Sequence, residues 1–412
     1  MFKSFFPSPR LFFWSAALWS LFAILFWFFF AKNAGHYIGL ENLPAGAEPI
    51  IGPQVFIGKP FIWFYCYFAA SVGIFGGIWW RLAKHAMFNW SVFGTAMIVF
   101  ITYFQVELDV AINAWYGPFY DMLAKATTTK GSVTISELYK SLLAFAGLIA
   151  VFVLVYSFQK FFIRHFVFRW RTAMNEFYVS NWQKLRHLEG ASQRVQDDSM
   201  QFAKGMEDQG ASILSAILTL IAFLPILYGY SVHITELPIV GAIPHALVWA
   251  SIVWALFGTV FLSLIGIKLP GLEFRNQRVE AAYRKELVLG EDDQNRAAIP
   301  TLNSLFSNVR TNYFKLYFNY LYFDFGRIIY INADTIYSLV LLFPSIIAGT
   351  MTFGLFQQIS NAFDKVRASV QVLVSDWDSI IKLISIYKRL RAFEATLFDQ
   401  PLSKIEAEPS VV

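Results

Sequence analysis

The sequence predicts an all-α membrane protein with eight transmembrane helices per chain, on the evidence of its composition, its apolar runs and its proline spacing. The 412 residues are 57% hydrophobic and 15% charged, whereas roughly a quarter of the residues of a soluble domain are charged. The net charge of +5 comes from basic groups between the apolar runs, which is typical of loops that face anionic lipid rather than nucleic acid. The single cysteine, Cys66, excludes an intrachain disulfide and a thiolate metal cage.

The first apolar run, from Phe12 to Phe30, is predicted to be a retained span. It contains no charged residue and follows Lys3 and Arg10. Its length suits the roughly 30 Å hydrocarbon core at about 1.5 Å of helix rise per residue. The segment from Phe28 to Lys32 lacks the small-residue cleavage site of a signal peptide.

Seven further apolar runs are each long enough to cross a bilayer. They cover residues 60–80, 90–113, 139–163, 211–230, 246–267, 314–333 and 335–358. The seventh of the eight runs is interrupted by Asp324, Arg327 and Asp334. Ionisable groups in a span normally face protein or a water-filled cavity, so this run is the least regular of the set.

Basic residues alternate between the loops and so predict the orientation. Lysine and arginine are frequent in residues 81–85, 160–204 and 268–310. The intervening loops, 32–59, 114–138 and 231–245, contain only Lys32, Lys59, Lys125 and Lys130. Because lysine and arginine mark cytoplasmic loops, an even number of spans places both termini in the cytoplasm.

Several helices should be longer than the membrane is thick. Residues 137–187 contain no proline and one glycine, so a continuous helix of about 50 residues would measure about 75 Å. Residues 191–224 and 246–289 are similar, although Pro270 and Gly271 should bend the second of these. Two more long helices are predicted, 301–343 and 345–393, with a turn around Pro344. Pairs of helices should turn back at residues 189–190 and 290–293.

Long helices that project into the cytoplasm resemble the transmembrane half of an ATP-binding-cassette exporter. No phosphate-binding G-x-x-x-x-G-K-[ST] loop occurs in the sequence, so no nucleotide-binding domain is expected. The predicted organisation is a two-helix segment over residues 1–85, a six-helix exporter-like domain over 86–395 and a short tail over 396–412.

Five strings of residues carry a more specific resemblance. They are Met1–Pro7, Val110–Tyr116, Phe168–Glu176, Gly266–Phe274 and Asn276–Leu287. These strings resemble the SbmA/BacA peptide importers of Gram-negative inner membranes. The resemblance implies a homodimer with an exporter-like fold, no ATPase, and proton-driven uptake of proline-rich antimicrobial peptides, microcins and bleomycin-like molecules from the periplasm.

Three glutamates form a predicted stripe that could carry protons. Glu273, Glu280 and Glu291 are 7 and 11 residues apart, which places them within about 40° of one another on a continuous helix. A carboxylate facing a partly dehydrated cavity can bind a proton on one side and release it on the other. The alternative is pairing with nearby basic residues on a cytoplasmic helix. The proton role is favoured for Glu280, and the pairing role is favoured for Glu286.

A second set of acids occupies the preceding helix. Asp197 and Asp208 differ by 11 residues, and Asp198 and Glu207 lie beside them, so this helix could form the facing wall of an acidic cavity. The family resemblance implies a ladder of glutamates that matches Glu207, Glu280 and Glu291. Asp197 stands where a glutamate is expected.

Two further features remain open at this level. Glu107 and Asp109 lie within apolar sequence, where they could carry protons or could pair with Arg327. Four aromatic residues follow the third span directly, where they could close a periplasmic gate or belong to an interfacial belt. They are Trp115, Tyr116, Phe119 and Tyr120.

Together with the family resemblance, the sequence predicts a proton-driven peptide importer of the bacterial inner membrane, dimeric around an acidic cavity. Its expected partners are peptides, protons, membrane lipid and a second copy of the chain, with no cofactor, metal, nucleotide or nucleic acid. The alternative is a lipid or very-long-chain fatty-acid transporter, or an accessory factor for envelope lipid. An enzyme is disfavoured because H-E-x-x-H and G-x-S-x-G do not occur.

Overall fold

The computed structural model describes residues 1–40, 50–188, 191–234, 237–238, 241, 243–293 and 295–398. This part of the chain is helical and contains no strand beyond an isolated bridge between Leu237 and Gly241. Seven of its helices are long and apolar enough to cross a membrane. They are Pro9–Ile38, Lys59–Leu82, Asn89–Thr128, Ile135–Ser180, Ala191–His233, Ala246–Glu291 and Ile299–Ile347. The all-α, multi-span prediction is confirmed.

The chain divides into two compact units. The first comprises Met1–Pro225, Thr352–Ala362 and the residues from Ser379 onward, and the second comprises Ile226–Met351 and Phe363–Asp378. The main helices in chain order are α1 Pro9–Phe26, α2 Lys59–Leu82, α3 Thr95–Thr128, α4 Ile135–Ser180, α5 Ala211–Tyr230, α6 Ala246–Gly266, α7 Leu269–Asp292, α8 Ile299–Ile347, α9 Phe353–Ser375 and α10 Trp377–Ala395.

Short helical segments extend several of these helices in the first unit. Three follow α1, namely Trp27–Ala31, Lys32–Ala34 and Gly35–Ile38, and Pro53–Ile57 precedes α2. Asn89–Gly94 is a π-helical turn that leads into α3, and Trp182–Leu185 follows α4. The approach to α5 comprises Ala191–Gln193, Arg194–Asp198, Ser199–Gly205 and Met206–Gly210. In the second unit Ser231–His233 follows α5, and Thr396–Phe398 closes the described part of the first unit.

The core of the first unit is aromatic, and within it the N-terminal segment packs against α4. Trp170 is buried, stacks with Phe5 at a ring separation of 5.7 Å and donates a hydrogen bond from Nε1 to the carbonyl of Met1 at 3.2 Å. At the other end of α4, Thr134 and Glu137 form a reciprocal capping box, which satisfies two amide groups that a helix start leaves unpaired. The helix runs for 46 residues, about 69 Å, so the prediction of a helix longer than the bilayer is confirmed.

In the second unit α6 packs closely on α8 through a glycine. A Cβ atom at Gly258 would lie 2.1 Å from the Tyr330 ring, so only glycine allows this approach. The α7–α8 pair is tied by Asn312, whose Nδ2 donates to Asn276 Oδ1 at 3.2 Å. The helix is interrupted by a turn at residues 267–268, between α6 and α7. Pro270 follows in the first turn of α7, where the missing amide hydrogen of proline costs no hydrogen bond.

The predicted division between the seventh and eighth runs at residue 334 is wrong, whereas the long helix predicted over residues 301–343 is confirmed because it lies within α8. Residues 314–333 and 335–347 lie in the single helix α8, because Asp334 is buried and ion-paired and so does not end the helix. Pro344 also lies inside α8, and the turn comes later, where Gly349 has a φ of +69°. The described residues therefore supply seven candidate spans, and the count of eight stays a prediction.

Of the remaining boundary predictions, one is wrong and others concern residues outside the described part of the chain. The predicted helix over 345–393 is two helices, α9 and α10, with a turn at Asp376. The predicted turn at residues 189–190 and most of the predicted tail, residues 399–412, lie outside the described residues.

Candidate functional site

Two of the predicted carboxylates lie in π-helical turns of the first unit. Asp197 lies in the turn Arg194–Asp198, and Glu207 lies in the turn Met206–Gly210. A π turn inserts one extra residue into a helix, and such turns occur frequently at functional sites. Sequence periodicity does not reveal them, so this shared feature was not predicted.

The partners of these two acids hold them weakly. Asp197 accepts a hydrogen bond of 2.9 Å from Gln201 one turn away. Glu207 pairs with Arg164 Nε at 3.2 Å, with side-chain exposures of 24% for the glutamate and 70% for the arginine. Because an ion pair with so exposed a partner contributes little free energy, the Glu207 carboxylate can be released from it at low cost.

Asp198, the neighbour of Asp197, has a structural role. Its side chain is 3% exposed and accepts two hydrogen bonds from the Arg389 guanidinium, at 2.7 Å and 3.2 Å. A bidentate arginine–carboxylate contact is both strong and directional. Asp198 therefore anchors α10 to the first unit.

The stripe of glutamates lies on one continuous helix, as predicted. Glu273, Glu280 and Glu291 all belong to α7. Glu273 and Glu280 are half-buried, and Glu291 is exposed. Within the described part of the chain, Glu280 has no ion-pair partner.

Glu286 differs sharply from Glu280 although both lie on α7. Its carboxylate accepts a hydrogen bond from Arg296 at 3.1 Å and another from the backbone amide of Ala297 at 3.1 Å. Ala297 has a φ of +54°, a conformation that an alanine rarely adopts. Glu286 therefore stabilises the turn after α7. Glu286 pairs with a basic residue as predicted, but the partner is Arg296 beyond the helix rather than a basic residue of the helix itself.

The two sets of predicted carboxylates belong to different units. Asp197 and Glu207 are in the first unit, and the α7 glutamates are in the second. Their arrangement as facing walls of one cavity stays a prediction.

Glu107 is a half-buried acid of α3 with local partners in the first unit. Its carboxylate forms a hydrogen bond with Tyr103, one turn earlier, and interacts electrostatically with Lys32. Arg327, the alternative partner considered for Glu107, pairs with Asp324 on its own helix at 3.4 Å. A proton-carrying role for Glu107 stays a prediction.

The four aromatic residues of the predicted gate pack between helices. Trp115 is 4% exposed, stacks between Phe119 and Phe145 at 4.3 Å and 4.4 Å, and donates a hydrogen bond to the carbonyl of Ser141. Tyr120 meets the ring of Phe353 edge-on at 5.7 Å, and Tyr116 contacts Tyr120 at 5.8 Å. The burial of Trp115 is unlike an interfacial belt, and a gating role for the cluster stays a prediction.

A polar contact between α3 and α9, which the sequence did not predict, satisfies a carbonyl group of α3 that lacks a helical hydrogen-bond donor. Pro118 lies inside α3 and has no amide hydrogen, so the carbonyl of Ala114 lacks its helical donor. Gln358 of α9 donates to that carbonyl at 3.1 Å and to the carbonyl of Asn113 at 3.1 Å. Asn361 donates to Asn113 Oδ1 at 2.9 Å. The Gly117–Pro118 pair lies just after the third apolar run, in a segment predicted to be a loop, and the structure shows that this segment continues α3.

The helices α3 and α9 approach each other closely at this contact, and a side chain of α3 caps the start of α9. A Cβ at Gly354 would lie 2.0 Å from the Gly117 carbonyl, and a Cβ at Gly117 would lie 2.7 Å from the Gln358 amide. Asp121 accepts hydrogen bonds from the amide of Gly354 at 2.7 Å and from the hydroxyl of Thr352 at 3.0 Å. A carboxylate at the start of α9 satisfies an unpaired amide and complements the helix dipole.

A second polar cluster, also missed, lies in the second unit. Asp334 of α8 is 3% exposed, pairs with Arg367 of α9 and accepts a hydrogen bond of 2.7 Å from Trp254 Nε1. The Tyr330 hydroxyl donates to the carbonyl of Trp254 at 3.2 Å and accepts from Gln371. Among the described residues no group of three or more histidine, cysteine, aspartate or glutamate side chains is arranged to hold a metal ion.

The comparison with known families decides the class of protein. A profile of the SbmA/BacA-like family matches residues 84–398, most of the chain. The chain belongs to the SbmA/BacA-like family. The resemblance in the sequence is thereby confirmed, and the family together with the apolar helices points to a multi-pass membrane protein of the transporter class. All the predicted carboxylates lie within the matched range, and α1 and α2 precede it.

Several curated relatives of this SbmA/BacA-like protein are ABC transporter proteins. It is 22% identical to an inner membrane ABC transporter ATP-binding protein of Escherichia coli over 73% of this chain and 56% of that protein. It is 25% identical to an uncharacterised ABC transporter ATP-binding protein of Synechocystis over 61% of this chain and 37% of that protein. It is 22% identical to the chloroplastic ABC transporter D family member 2 of Arabidopsis thaliana over 73% of this chain and 42% of that protein. The chain thus spans between about a third and just over half of their lengths, and their similarity supports an exporter-like transmembrane fold.

Proposed function

We propose that this SbmA/BacA-like protein imports peptides from the periplasm across the bacterial inner membrane, driven by the proton gradient. The observation that carries the proposal is the contrast on α7. Glu280 is half-buried without an ion-pair partner among the described residues, whereas Glu286 is fixed by Arg296 and Ala297. A carboxylate that is partly dehydrated and unpaired can change its protonation state during a transport cycle.

The energy available from one proton is sufficient for coupling. One elementary charge moving through 100 mV releases about 2.3 kcal/mol, and about 1.4 kcal/mol changes an equilibrium tenfold. One or two protons can therefore bias an alternating-access equilibrium strongly. Glu207, Asp197, Glu273 and Glu291 would extend the proton path along the acidic helices, with Glu107 as a separate candidate.

The proposed substrate class follows from charge. Acidic side chains attract cationic peptides through long-range electrostatics. The glutamates of α7, and Asp197 and Glu207 in the first unit, therefore favour cationic peptides over an anionic lipid headgroup. Transport needs no nucleotide in this scheme, since the sequence contains no phosphate-binding loop.

The proposed topology has eight crossings with α9 as the eighth. Arg367 contacts Asp334 and Gln371 contacts Tyr330, so positions later in α9 meet positions earlier in α8. This order means that α9 runs antiparallel to α8 and turns back along it. Although α9 is too polar to count as a span by composition, its pairing with α8 supports a return through the membrane, with both termini in the cytoplasm.

We also propose that the transporter is a homodimer. In the described residues large apolar side chains remain exposed on every candidate span, and lipid contacts and a second copy would share this surface.

The test is uptake by purified protein in liposomes. A labelled proline-rich cationic peptide should accumulate when the outside is acidic relative to the lumen and the protein is oriented with its periplasmic side outward, and it should not accumulate without the gradient. A labelled acyl lipid offered in parallel should not be moved. Uptake that ignores the gradient, or movement of the lipid alone, would overturn the proposal.

A further inference from the structure

Asp334 lies in the candidate membrane span formed by α8 and is held by charge. It precedes the end of α8 at Ile347 by 13 residues, about 20 Å along the helix. Its side chain is 3% exposed. Arg367 and Trp254 Nε1 both bind its carboxylate. A charge within a membrane span needs such partners.

Arg367 has a second carboxylate within reach. Its guanidinium lies 3.7 Å from Asp364, one turn earlier on α9, and Asp364 is 56% exposed whereas Arg367 is 20% exposed. The Arg367 Nε atom is buried and has no hydrogen-bond partner among the described atoms. The guanidinium is therefore not saturated by Asp334 and can move to Asp364 without losing all charge compensation.

Charge counting points to a proton as a ligand of this cluster, next to Lys365 on α9, which has interactions of its own. Asp334, Asp364 and Arg367 together carry one net negative charge when all are ionised, and they are neutral when one carboxylate is protonated. The other titratable groups that face Asp334 are the hydroxyls of Tyr330 and Tyr337 on α8, which donate to carbonyls of α6 at 3.2 Å and 3.3 Å and stay protonated at neutral pH. The described α6 contacts supply no charge.

We propose that Asp334 is a proton-binding site that operates a link between α8 and α9. A proton adds to a carboxylate oxygen of Asp334, the ion pair with Arg367 breaks, and the guanidinium pairs with Asp364 instead. Loss of the proton reverses these steps. Removing one partner of a buried ion pair leaves an uncompensated charge, and Asp364 avoids this by receiving the arginine. The role of this switch in transport rests on the proposed function.

The test measures the α8–α9 separation by pulsed electron paramagnetic resonance. Spin labels on Ile331→Cys and Ala368→Cys, both exposed positions at the level of the cluster, are introduced after Cys66→Ser, and labelled protein is diluted with unlabelled protein to suppress distances between copies. The ratio of two distance populations should change at least about threefold between pH about 8 and about 5. A single distance at every pH would overturn the proposal.

Two variants separate the switch from a static ion pair. Asp364→Asn removes only the alternative partner, so it should abolish the pH response and slow gradient-driven uptake at least about tenfold, the effect of about 1.4 kcal/mol. A static Asp334–Arg367 pair would tolerate the change, because an exposed pair one turn apart contributes little. Asp324→Asn is the matched control. Asp324 is 49% exposed, close to the 56% of Asp364, and pairs at 3.4 Å and the same spacing with Arg327, which is 54% exposed against 20% for Arg367. This variant should retain the wild-type pH response.

The outcomes are distinguishable from failure of the proposed function. A wild-type pH response in Asp364→Asn, or an equal loss in Asp324→Asn, would overturn the switch. Because the spin-label distances require no substrate, a protein that takes up no peptide at all would refute peptide import while the pH response still decides the fate of the switch.

Discussion

The Pro118 break in α3 gives a prediction whose magnitude follows from the structure. Gln358→Leu preserves side-chain size and removes the donor to the Ala114 carbonyl, which has no other donor because residue 118 is proline. An unsatisfied buried polar group costs about 1–3 kcal/mol. We therefore expect the free energy of unfolding to fall by about that amount, and the melting temperature of the purified protein to fall by a few degrees. Intrinsic fluorescence during heating in detergent measures this shift.

Two controls make this prediction specific. Gln357→Leu changes the adjacent half-buried glutamine and should alter stability by less than about 0.5 kcal/mol. Pro118→Ala restores an amide donor within the helix, so Gln358→Leu should cost at least about 1 kcal/mol less in that background, as a double-mutant cycle measures. If Gln358→Leu is equally costly with and without Pro118, the orphan carbonyl is not what Gln358 stabilises.

Four further outcomes are expected. Glu280→Gln fixes the neutral form and should abolish gradient-driven uptake with peptide binding retained, whereas Glu286→Gln should be mild; the reverse ranking would place the proton path elsewhere. Arg389→Leu leaves Asp198 buried and unpaired and should destabilise the protein by about 3–5 kcal/mol, while Arg164→Leu at an exposed pair should cost under about 1 kcal/mol; equal thermal shifts would contradict this contrast. Mass photometry should give the mass of a dimer, and a monomer that still transports would refute the shared path. A reporter fused after α10 should be active in the cytoplasm, and periplasmic activity would exclude an eighth crossing.

The sequence predicted the helical architecture because apolar runs and the absence of proline are properties of consecutive residues. Its error at Asp334 shows the limit of that reasoning. A charged residue in an apolar run indicates a boundary only when it meets lipid or water, and here Arg367, more than thirty positions later, compensates the charge. Pairing between distant residues is fixed by helix packing, which local sequence does not encode.

The same limit applied to the candidate site. Glu280 and Glu286 occupy the same helix in similarly charged sequence, and only the turn after α7 brings Arg296 and the Ala297 amide to Glu286. The π turn around Glu207 likewise has no periodic signature. Residue type and spacing therefore predict which acids are candidates, whereas the partners of these acids can be identified only in the folded structure.

The most direct test of the account is peptide uptake by purified protein reconstituted in liposomes, measured with the membrane potential and the pH gradient imposed separately and together, without nucleotide. The account predicts accumulation that rises with the total proton-motive force and disappears when a protonophore collapses it. It also predicts that Glu280→Gln protein gives no accumulation under the same force. Accumulation that persists after collapse of the gradient, or that requires ATP, would contradict the claim that protons drive this transporter.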